Sequence, residues 1–587
     1  MEVLGREMVG HCSGLPLAII MLSGLLSEKQ TVKEWEDMKG NVMKYIAESN
    51  RKDDDSLKNG LWVLGLSYDE LPFYIKPCFL YLAHYPEDAT IRVKEVCRML
   101  VAEGFIAPSE MNSTKAIEDV AYDCLNEFVK RSMIQVENWG STGRIKTFRI
   151  HDLMREFCLS KGRDDLFIQF VDLRNKAEEA LKSVSDIIRR VAVYTTYDDF
   201  HSINFFHKAN KSLRCLVVDM RKERIIEPML ERVSSFLMLR VLNLSLYMGP
   251  NDRELPKEIG QLIHLRWFKI RCGFFMTIPS SIGNLRRLQT FKLDAEVVSI
   301  WRVEWKIPKV LWKWEQLRHL CLPNPYGLAS SKWSRSSKWL RLPNPRNLQT
   351  LEGVQTKYLA MDDFLMLINL KKLKIYVDKD LGRIYHDPEN NNFTCLESLQ
   401  VVSNERFIIE IVPIILSYPR IYKLKIMHVR LVKLPEVSQF SPNLMKLALK
   451  ETFLEDDPMP TLEKLPNLRV LYFYYGSFTG DKMVCSKGGF PRLESLHFES
   501  LHSGNVGLKE WKVEKGALSS LRFLVIDYCR RLSGVSDGLK YITTLKEMKI
   551  QTMPREFKKR LEKGGDDFYK VQHVPSRIFF NCNYAAW

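Results

Sequence analysis

Hydrophobic side chains recur along this chain in two different rhythms. Beyond residue 185 the phrase leucine-x-x-leucine-x-leucine returns again and again, with other aliphatic residues, phenylalanine or methionine substituting. Its alternating end, as in Leu242-Asn243-Leu244, predicts a short strand that turns both leucines to one side. The phrase begins at Ile188, Leu213, Leu239, Leu265, Leu288, Leu317, Leu348, Leu370, Leu396, Ile421, Leu444, Leu468, Leu493, Leu521 and Leu545.

The spacing of these phrases indicates a structural repeat. The phrases make 14 steps between residues 188 and 545, so the mean period is about 25.5 residues, within the range of leucine-rich repeats. One repeat cannot enclose its own leucines, whereas stacked repeats share them, and burial of each large aliphatic side chain stabilises the fold by about 1.5 to 3 kcal/mol. The sequence therefore predicts an α/β leucine-rich-repeat solenoid, or horseshoe.

The strand positions between the leucines would face outward on the inner wall of this solenoid. They are basic in the first two thirds and become aromatic and mixed in charge further on, a composition that suits contact with a protein. The alternative is that each is simply a solvated strand residue. The candidate partner-binding residues are Arg266, Trp267, Lys269, Arg271, Lys372, Lys374, Lys425, Lys450, Tyr472, Tyr474, His497 and Phe523.

The first 160 residues lack this period and follow a helical rhythm. Helices are predicted over 93–103 and 116–132, and Met133 to Val136 can pair with Thr147 to Ile150 as a hairpin. Helices followed by a hairpin indicate a winged helix, so the whole chain is predicted to be α+β. The predicted domains are a helical segment over 1–50, a linker over 51–65, the winged helix over 66–160, a linker over 161–185, the solenoid over 186–555 and a tail over 556–587.

Composition and charge narrow the class of protein. Hydrophobic residues make up 45% and charged residues 27% of the 587 positions, as in folded proteins of more than one domain. The formal net charge of +16 favours acidic proteins, anionic lipid or nucleic acid as partners. The 12 cysteines show no C-x-x-C spacing, so we expect reduced thiols in an intracellular setting.

Membrane and catalytic signals are weak. The longest apolar stretch, Gly14 to Leu26, is shorter than the roughly 20 residues that cross a bilayer, so no stable membrane insertion is expected. Neither H-E-x-x-H nor G-x-S-x-G nor a paired metal-ligand cluster occurs, and the sequence therefore indicates neither an enzyme nor a metal site.

Three ordered motifs precede the repeats: Gly14-Leu15-Pro16-Leu17, the stretch from Cys78 to Asp88, and Ile150-His151-Asp152-Leu153. Together with the repeats they resemble plant intracellular immune receptors of the coiled-coil, NB-ARC, leucine-rich-repeat type. The resemblance implies that Pro16 lies by the adenine of a bound ADP or ATP and that His151 approaches the β-phosphate. The candidate nucleotide-binding residues are Gly14, Leu15, Pro16, Leu17, His151 and Asp152.

The sequence departs from this family at the phosphate-binding loop. Such a loop needs G-x-x-x-x-G-K-[ST], and no Gly-Lys pair occurs in the 587 residues. The family's phosphate loop and amino-terminal coiled coil would precede Met1, and Ile150 stands where the family more often has methionine. We therefore expect the back half of a receptor, which binds no ADP tightly by itself.

The function that the resemblance implies is recognition in plant innate immunity, in the cytoplasm. The repeats would bind a pathogen effector or a guarded host protein and regulate an ADP/ATP-switched NB-ARC module, leading to disease resistance and the hypersensitive response. A complete receptor of the same family is a further candidate partner, if the chain acts as a decoy. Two other classes stay open: a winged-helix nucleic-acid binder, disfavoured by Glu118, Asp119 and Asp123, and an extracellular leucine-rich-repeat receptor.

Overall fold

The computed structural model divides the chain into two compact units, Met1–Glu315 and Gln316–Trp587. Much of both predicted linkers, residues 52–61 and 173–185, lies outside the described residues. The structure describes residues 1–51, 62–106, 115–140, 142–165, 167–172, 188–195, 212–220, 232–246, 254–272, 276–295, 305–306, 308–323, 341–342, 344–356, 359–377, 393–403, 418–431, 433–503 and 506–582.

The first unit begins with helices that enclose one apolar core. Proline at a first helical position starts one of them, and Gly104, with φ +86°, ends another in the left-handed conformation that suits glycine. The helix predicted over 93–103 is confirmed. The helices are α1 (Glu2–Gly10), α2 (Pro16–Ser27), α3 (Val32–Arg51), α4 (Trp62–Asp69), α5 (Lys76–Tyr81), α6 (Val93–Glu103), α7 (Ile117–Lys130) and α8 (Asp152–Asp164).

A small antiparallel sheet completes the winged helix. Its strands are β1 (Ile91–Arg92), β2 (Gln135–Trp139) and β3 (Ile145–Arg149), with β3 in the middle. The predicted hairpin is confirmed, and β2 runs on as far as Trp139 because Gly140 and Arg144 close the turn with a 2.7 Å backbone hydrogen bond.

Parallel strands follow in the first unit, each paired with the next in the same direction. The short strands β9 and β11 pair with each other in parallel and form a separate sheet of two strands. The strands are β4 (Gln169–Asp172), β5 (Arg190–Thr195), β6 (Cys215–Met220), β7 (Val241–Leu246), β8 (Trp267–Cys272), β9 (Met276–Thr277), β10 (Thr290–Ala295) and β11 (Trp305–Lys306).

Most strands of the second unit form a parallel sheet, whereas among the described residues β19 pairs only with β23 and β21 pairs antiparallel with β22. The unit also carries the short helices α9 (Met361–Leu365), α10 (Met459–Leu462) and α11 (Arg555–Leu561). Its strands are β12 (His319–Cys321), β13 (Thr350–Gln355), β14 (Lys372–Val377), β15 (Ser398–Ser403), β16 (Lys423–Met427), β17 (Lys446–Lys450), β18 (Val470–Phe473), β19 (Lys482–Cys485), β20 (Ser495–Glu499), β21 (His502–Ser503), β22 (Val506–Gly507), β23 (Glu510–Val513), β24 (Phe523–Asp527), β25 (Glu547–Gln551) and β26 (Ser576–Phe580).

The repeat leucines form the core of both sheets. All 15 residues that open the repeat phrase are at most 7% exposed, which confirms the predicted solenoid. The parallel strands extend past the predicted limits of 186 and 555, because β4 pairs with β5 and β26 pairs with β25. The strand side chains that alternate with the buried leucines lie on the opposite side of each sheet, which we call the open face.

Polar side chains tie neighbouring repeats together where each strand begins. Asn369 donates to the carbonyl oxygen of Arg346 at 2.9 Å, and Asn443 donates to that of Pro419 at 2.7 Å. Both asparagines come directly before a buried repeat leucine. These bonds give partners to carbonyl groups that no strand neighbour reaches, and so they fix the register between repeats.

Replacing Leu447 by alanine should lower the free energy of unfolding by about 2 to 5 kcal/mol, because it leaves a cavity between repeats. Leu447 is 0% exposed and pairs in register with Leu424 and Leu471. Ile368→Ala removes as many carbon atoms from a side chain that is 42% exposed, and should change stability by about 0.5 kcal/mol or less. Urea unfolding followed by circular dichroism distinguishes them, and equal losses would contradict the assigned core.

Candidate functional site

The segment from Gly14 to Leu17 is the turn that leads into α2. Gly14 has φ +73°, and the N–H of Leu15 donates to the carbonyl oxygen of Cys12 at 2.9 Å. Pro16 takes the first helical position, where its missing N–H costs no hydrogen bond, and it is exposed. Leu17 is buried. The turn therefore holds Pro16 at the surface beside an apolar anchor.

His151 is the residue that caps the amino terminus of α8. Its Nδ1 accepts a hydrogen bond from the N–H of Leu153 at 3.3 Å. In a neutral ring with Nδ1 accepting, Nε2 carries the proton and can donate to a phosphate oxygen. Asp152, in the first turn of the helix, is exposed. One imidazole can therefore cap α8 through Nδ1 and still donate a hydrogen bond to phosphate through Nε2.

Arg155 connects two of the sequence motifs and was missed by the sequence reasoning. Its Nε donates to the carbonyl oxygen of Tyr85 at 2.7 Å, and its Nη1 lies 3.4 Å from a carboxylate oxygen of Glu87. The guanidinium also lies over the ring of Phe170, 4.2 Å from its centroid. A signal was present, because Arg155 follows His151 by four residues and shares its helix face. Arg155 therefore fixes α8 against the stretch from Cys78 to Asp88.

Contact with ADP or ATP fits these residues in part. Helices α2 and α8 both pack against α4, so both motifs belong to one core. Pro16 offers an exposed apolar ring and His151 an N–H donor, whereas the carboxylate of Asp152 would repel phosphate. A phosphate loop with its lysine does not occur in the sequence. The nucleotide roles of these residues remain predictions.

The open face of the first unit is covered by helix α6 of the winged helix. Glu95 on this helix lies between two lysines, 2.8 Å from Nζ of Lys269 and 2.7 Å from Nζ of Lys292. Lys292 also lies 3.1 Å from Asp294. We call these four residues, Glu95, Lys269, Lys292 and Asp294, the ionic cluster.

Two predicted partner-binding residues are buried at this contact. Trp267 is 0% exposed and belongs to the apolar core of the winged helix, and Lys269 is 6% exposed. The expectation that these two face solvent is wrong, because α6 packs on β7 and β8. Arg271 stays partly exposed at the edge, 4.0 Å from Asp294.

The charges of the ionic cluster support one another. Burial alone would raise the pKa of Glu95, but the ammonium groups of Lys269 and Lys292 hold it well below its usual range. Burial alone would lower the pKa of Lys292, but Glu95 and Asp294 raise it. Glu95 and Lys292 are therefore both charged at neutral pH. Such a buried pair contributes little net stability, yet removal of one partner leaves a costly unpaired charge.

A second polar contact lies at the carboxyl end of α6. Glu103 accepts from Nε of Arg190 at 3.1 Å, and both side chains are buried. The carbonyl oxygen of Glu103 accepts from Arg240 at 2.8 Å. Arg266, another candidate partner-binding residue, is half-buried nearby. Its guanidinium lies beside Gly104, and a Cβ atom placed on that glycine would be 3.6 Å from Nη1 of Arg266. Three guanidinium groups thus lie near the negative end of this helix.

His84 is an unusual buried group beside this contact. It is 1% exposed, its Nδ1 lies 2.5 Å from the carbonyl oxygen of Tyr81, and its Nε2 has no hydrogen-bond partner among the described residues. Burial lowers the pKa of His84 to about 4, against the opposing effect of the Tyr81 carbonyl. The imidazole is therefore neutral at physiological pH.

The remaining candidates lie on the open face of the second unit. Lys372, Lys374, Lys425 and Lys450 are half-buried on β14 to β17. Lys372 lies 2.7 Å from a carboxylate oxygen of Glu352. The structure brings these lysines together on neighbouring strands, in the alternating positions that the sequence predicts.

An aromatic stack follows on β18 and β20. The ring centroids of Tyr472 and His497 are 4.1 Å apart, and those of Tyr472 and Tyr474 are 5.4 Å apart with nearly parallel planes. Nζ of Lys446 lies 4.5 Å from the centroid of Tyr472. Phe523, on β24, is 43% exposed. Stacked rings with a cation above them form a rigid platform for a protein contact.

Several basic side chains of the winged helix are paired within their own domain. Arg144 lies 2.8 Å from Asp119, Arg149 pairs with Glu137, and Lys130 lies 3.6 Å from a carboxylate oxygen of Glu127. A phosphate backbone would have to break these pairs. The geometry therefore gives no support to the nucleic-acid alternative.

Comparison with known proteins places this geometry in a family. The model described as leucine-rich repeat region matches residues 213–563, and the model described as disease resistance protein winged helix domain matches residues 85–158. The chain belongs to the leucine-rich-repeat disease resistance proteins. The second model covers the sheet β1 to β3, helix α6 and the cap at His151, which confirms the winged helix.

Similar proteins occur in Arabidopsis thaliana. The probable disease resistance RPP8-like protein 2 is 36% identical over 592 residues, covering 99% of this chain and 62% of the relative. Disease resistance protein RPP8 is 35% identical over 585 residues, with the same coverage. The chain thus spans about three fifths of their length. A solved leucine-rich-repeat protein of Leptospira interrogans aligns at 16% identity and a TM-score of 0.35, covering 72% of this chain and 98% of its own.

No helix among the described residues of this disease resistance protein has the length and apolar character to span a bilayer.

The chain alone should bind ADP more weakly than about 1 µM, because the proton of His151 cannot replace a phosphate loop. A titration of a fluorescent ADP analogue with the purified chain measures this. The His151→Ala variant serves as the control and should give the same weak signal. Sub-micromolar binding that His151→Ala abolishes would contradict the expectation.

Stability should fall as the pH drops from about 6.5 towards 4, because unfolded His84 takes up a proton there and folded His84 does not. The loss attributable to His84 is on the order of 2 kcal/mol between pH 7 and pH 5. Urea unfolding at both pH values should show a smaller pH effect in His84→Asn, whose amide can still donate to Tyr81. The exposed residue His11 provides the control, since His11→Asn should retain the full effect.

Proposed function

We propose that this chain is the recognition and regulatory part of a plant immune receptor. The repeats bind a partner protein, either a pathogen effector or a guarded host protein. The winged helix passes that event to an ADP/ATP-switched nucleotide-binding module of the NB-ARC type. The observation that carries this proposal is the ionic cluster, which joins the winged helix to the open face of the first repeats.

A contact of this kind suits a switch. Buried charges add little net stability, because the cost of removing them from water offsets their attraction. They penalise wrong positions strongly, since a displaced Glu95 would take its carboxylate away from two buried lysines. A partner that alters strands β8 and β10 therefore changes the position of α6 through differential contacts, as a two-state regulator requires.

Binding rather than catalysis is the proposed activity of the repeats. The open face of the second unit offers lysines and a stacked aromatic platform, which favour a protein partner. A complete receptor of the same family is a further candidate partner.

The proposed cofactor is ADP or ATP, which supplies phosphate charge when bound. Pro16 would lie against the base, and His151 would donate its Nε2 proton to a phosphate oxygen while its Nδ1 keeps the cap on α8. The proposed location is the cytoplasm. Its support is the cysteine chemistry, since 11 of the 12 cysteines are free thiols and most of these are buried.

The charge reversal Glu95→Lys should detach α6 from the repeats, and the quadruple variant that adds Lys269→Glu, Lys292→Glu and Asp294→Lys should restore the contact, because it reverses every charge of the ionic cluster. Hydrogen exchange of α6, β8 and β10 measures the detachment directly. Glu156→Lys, an exposed change on α8, is the matched control.

The same variants test the function in leaves, in a chimera where this chain replaces the matching part of RPP8. We expect cell death without a pathogen from Glu95→Lys and none from the quadruple variant or from Glu156→Lys. If Glu95→Lys causes no cell death although the amide hydrogens of α6 exchange rapidly, the proposed relay is refuted.

A further inference from the structure

The open face of the second unit begins as a basic strip. Two rows of register partners cross the strands β14 to β17 on this face. The first row consists of Lys372, Ser398, Lys423 and Lys446, and the second row consists of Lys374, Gln400 and Lys425. Adjacent strands lie only about 4.8 Å apart, so these ammonium groups repel one another. Burial lowers the pKa of Lys374, and Lys372 and Lys425 lower it further, although Glu352 opposes them. The strip favours negative charge.

The aromatic rings in the middle of the face are uncharged at neutral pH. Burial first, then Lys446 and Lys549, lowers the pKa of His497 to about 4, so the ring that stacks on Tyr472 is neutral. Burial raises the pKa of Tyr474 to about 12, with Tyr472 and Glu499 adding to the effect. The three rings therefore present apolar surface between charged regions.

The sign of the charge reverses beyond the rings. Glu499 and Asp527 are register partners on β20 and β24, and Tyr474, which directly follows β18, is close enough to Glu499 for that carboxylate to raise its pKa. Burial raises the pKa of Glu499, and Asp527 raises it further, while Lys450 opposes them. Oδ1 of Asp527 is buried and has no hydrogen-bond partner among the described residues. Two adjacent carboxylates beside an aromatic ring favour a cation.

We propose that this face binds an extended protein segment that is acidic at one end and carries an arginine at the other. The acidic side chains lie on the lysines of β14 to β17. The arginine lies on the ring of Tyr474 and donates to Glu499 and Asp527. This assignment rests on the proposed function, recognition of a protein by the repeats, and names the chemistry of the segment recognised.

The reversal of sign distinguishes a protein from other anionic partners. Nucleic acids and anionic membranes carry one sign of charge throughout, so Glu499 and Asp527 would repel them wherever the lysines attract them. A polypeptide can change sign within a few residues. From β16 to β24 there are four strand steps, roughly 19 Å, which an extended chain of about six residues spans.

Synthetic peptides test the proposal with the full chain. One fluorescein-labelled peptide carries an acidic cluster and an arginine pair separated by six uncharged residues, and a second has the same composition with alternating charges. A single-stranded oligonucleotide of equal negative charge is the third probe. Fluorescence anisotropy should show the first peptide binding roughly tenfold more tightly than either other probe.

Variants assign the two ends of the peptide. Glu499→Gln with Asp527→Asn should weaken the first peptide roughly tenfold, as should Lys423→Glu with Lys425→Glu. Lys433→Glu and Glu556→Gln change exposed charges of the same kind elsewhere in the unit and should leave binding unchanged. Glu499→Lys with Asp527→Lys should reverse the preference in favour of an all-acidic peptide.

Equal binding of the two peptides, or tighter binding of the oligonucleotide, would overturn this inference. So would loss of binding in the Lys433 control. None of these outcomes affects the relay through Glu95, whose test in leaves depends on no peptide. Failure of the two proposals is therefore distinguishable.

Discussion

Every feature of this protein depends on sharing aliphatic side chains between successive repeats. Residues such as Leu424, Leu447 and Leu471 are register partners on three strands, and none has a complete apolar environment within its own repeat. Stacking supplies that environment and fixes the strand direction at the same time. Because the inward positions are committed to this core, the alternating positions remain for charge and aromatic rings. The chemistry of recognition is thus a consequence of the packing constraint, expressed on the other side of the same strands.

Lysines on these strands have different environments in the two units. In the first unit Lys269 is buried against Glu95, so its charge fixes a contact within the chain. In the second unit Lys374 is only half-buried and experiences repulsion from other lysines. A strongly buried charge resists displacement because an unpaired state is costly, whereas a partly solvated one can exchange partners at small cost. One residue type can therefore hold a regulatory contact in one place and remain available for binding in another.

The fold could be predicted from the sequence because its information is local and periodic. The repeat leucines and the helix over Val93–Glu103 follow from spacing alone. The burial of Trp267 and Lys269 could not be predicted this way, because the helix that covers them is remote in the sequence. Glu95 and Lys269 are 174 residues apart. Arg155 was missed for a related reason, because its partners Tyr85 and Glu87 belong to another motif. Periodicity shows which side of a strand is inward, but only tertiary packing shows whether the other side meets water.

His151 shows how a structural role and the proposed contact with phosphate can share one side chain. As the cap of α8 it uses Nδ1 as an acceptor, and this choice sets the tautomer that exposes a proton on Nε2. Arg155, one turn later, holds the same helix against Tyr85, in the stretch that leads to α6 and its ionic cluster. A shift of α6 would therefore change the support of α8 and, with it, the direction in which the imidazole proton points. The proposed relay from the repeat surface to His151 can therefore run through packed helices whose polar contacts are able to exchange partners.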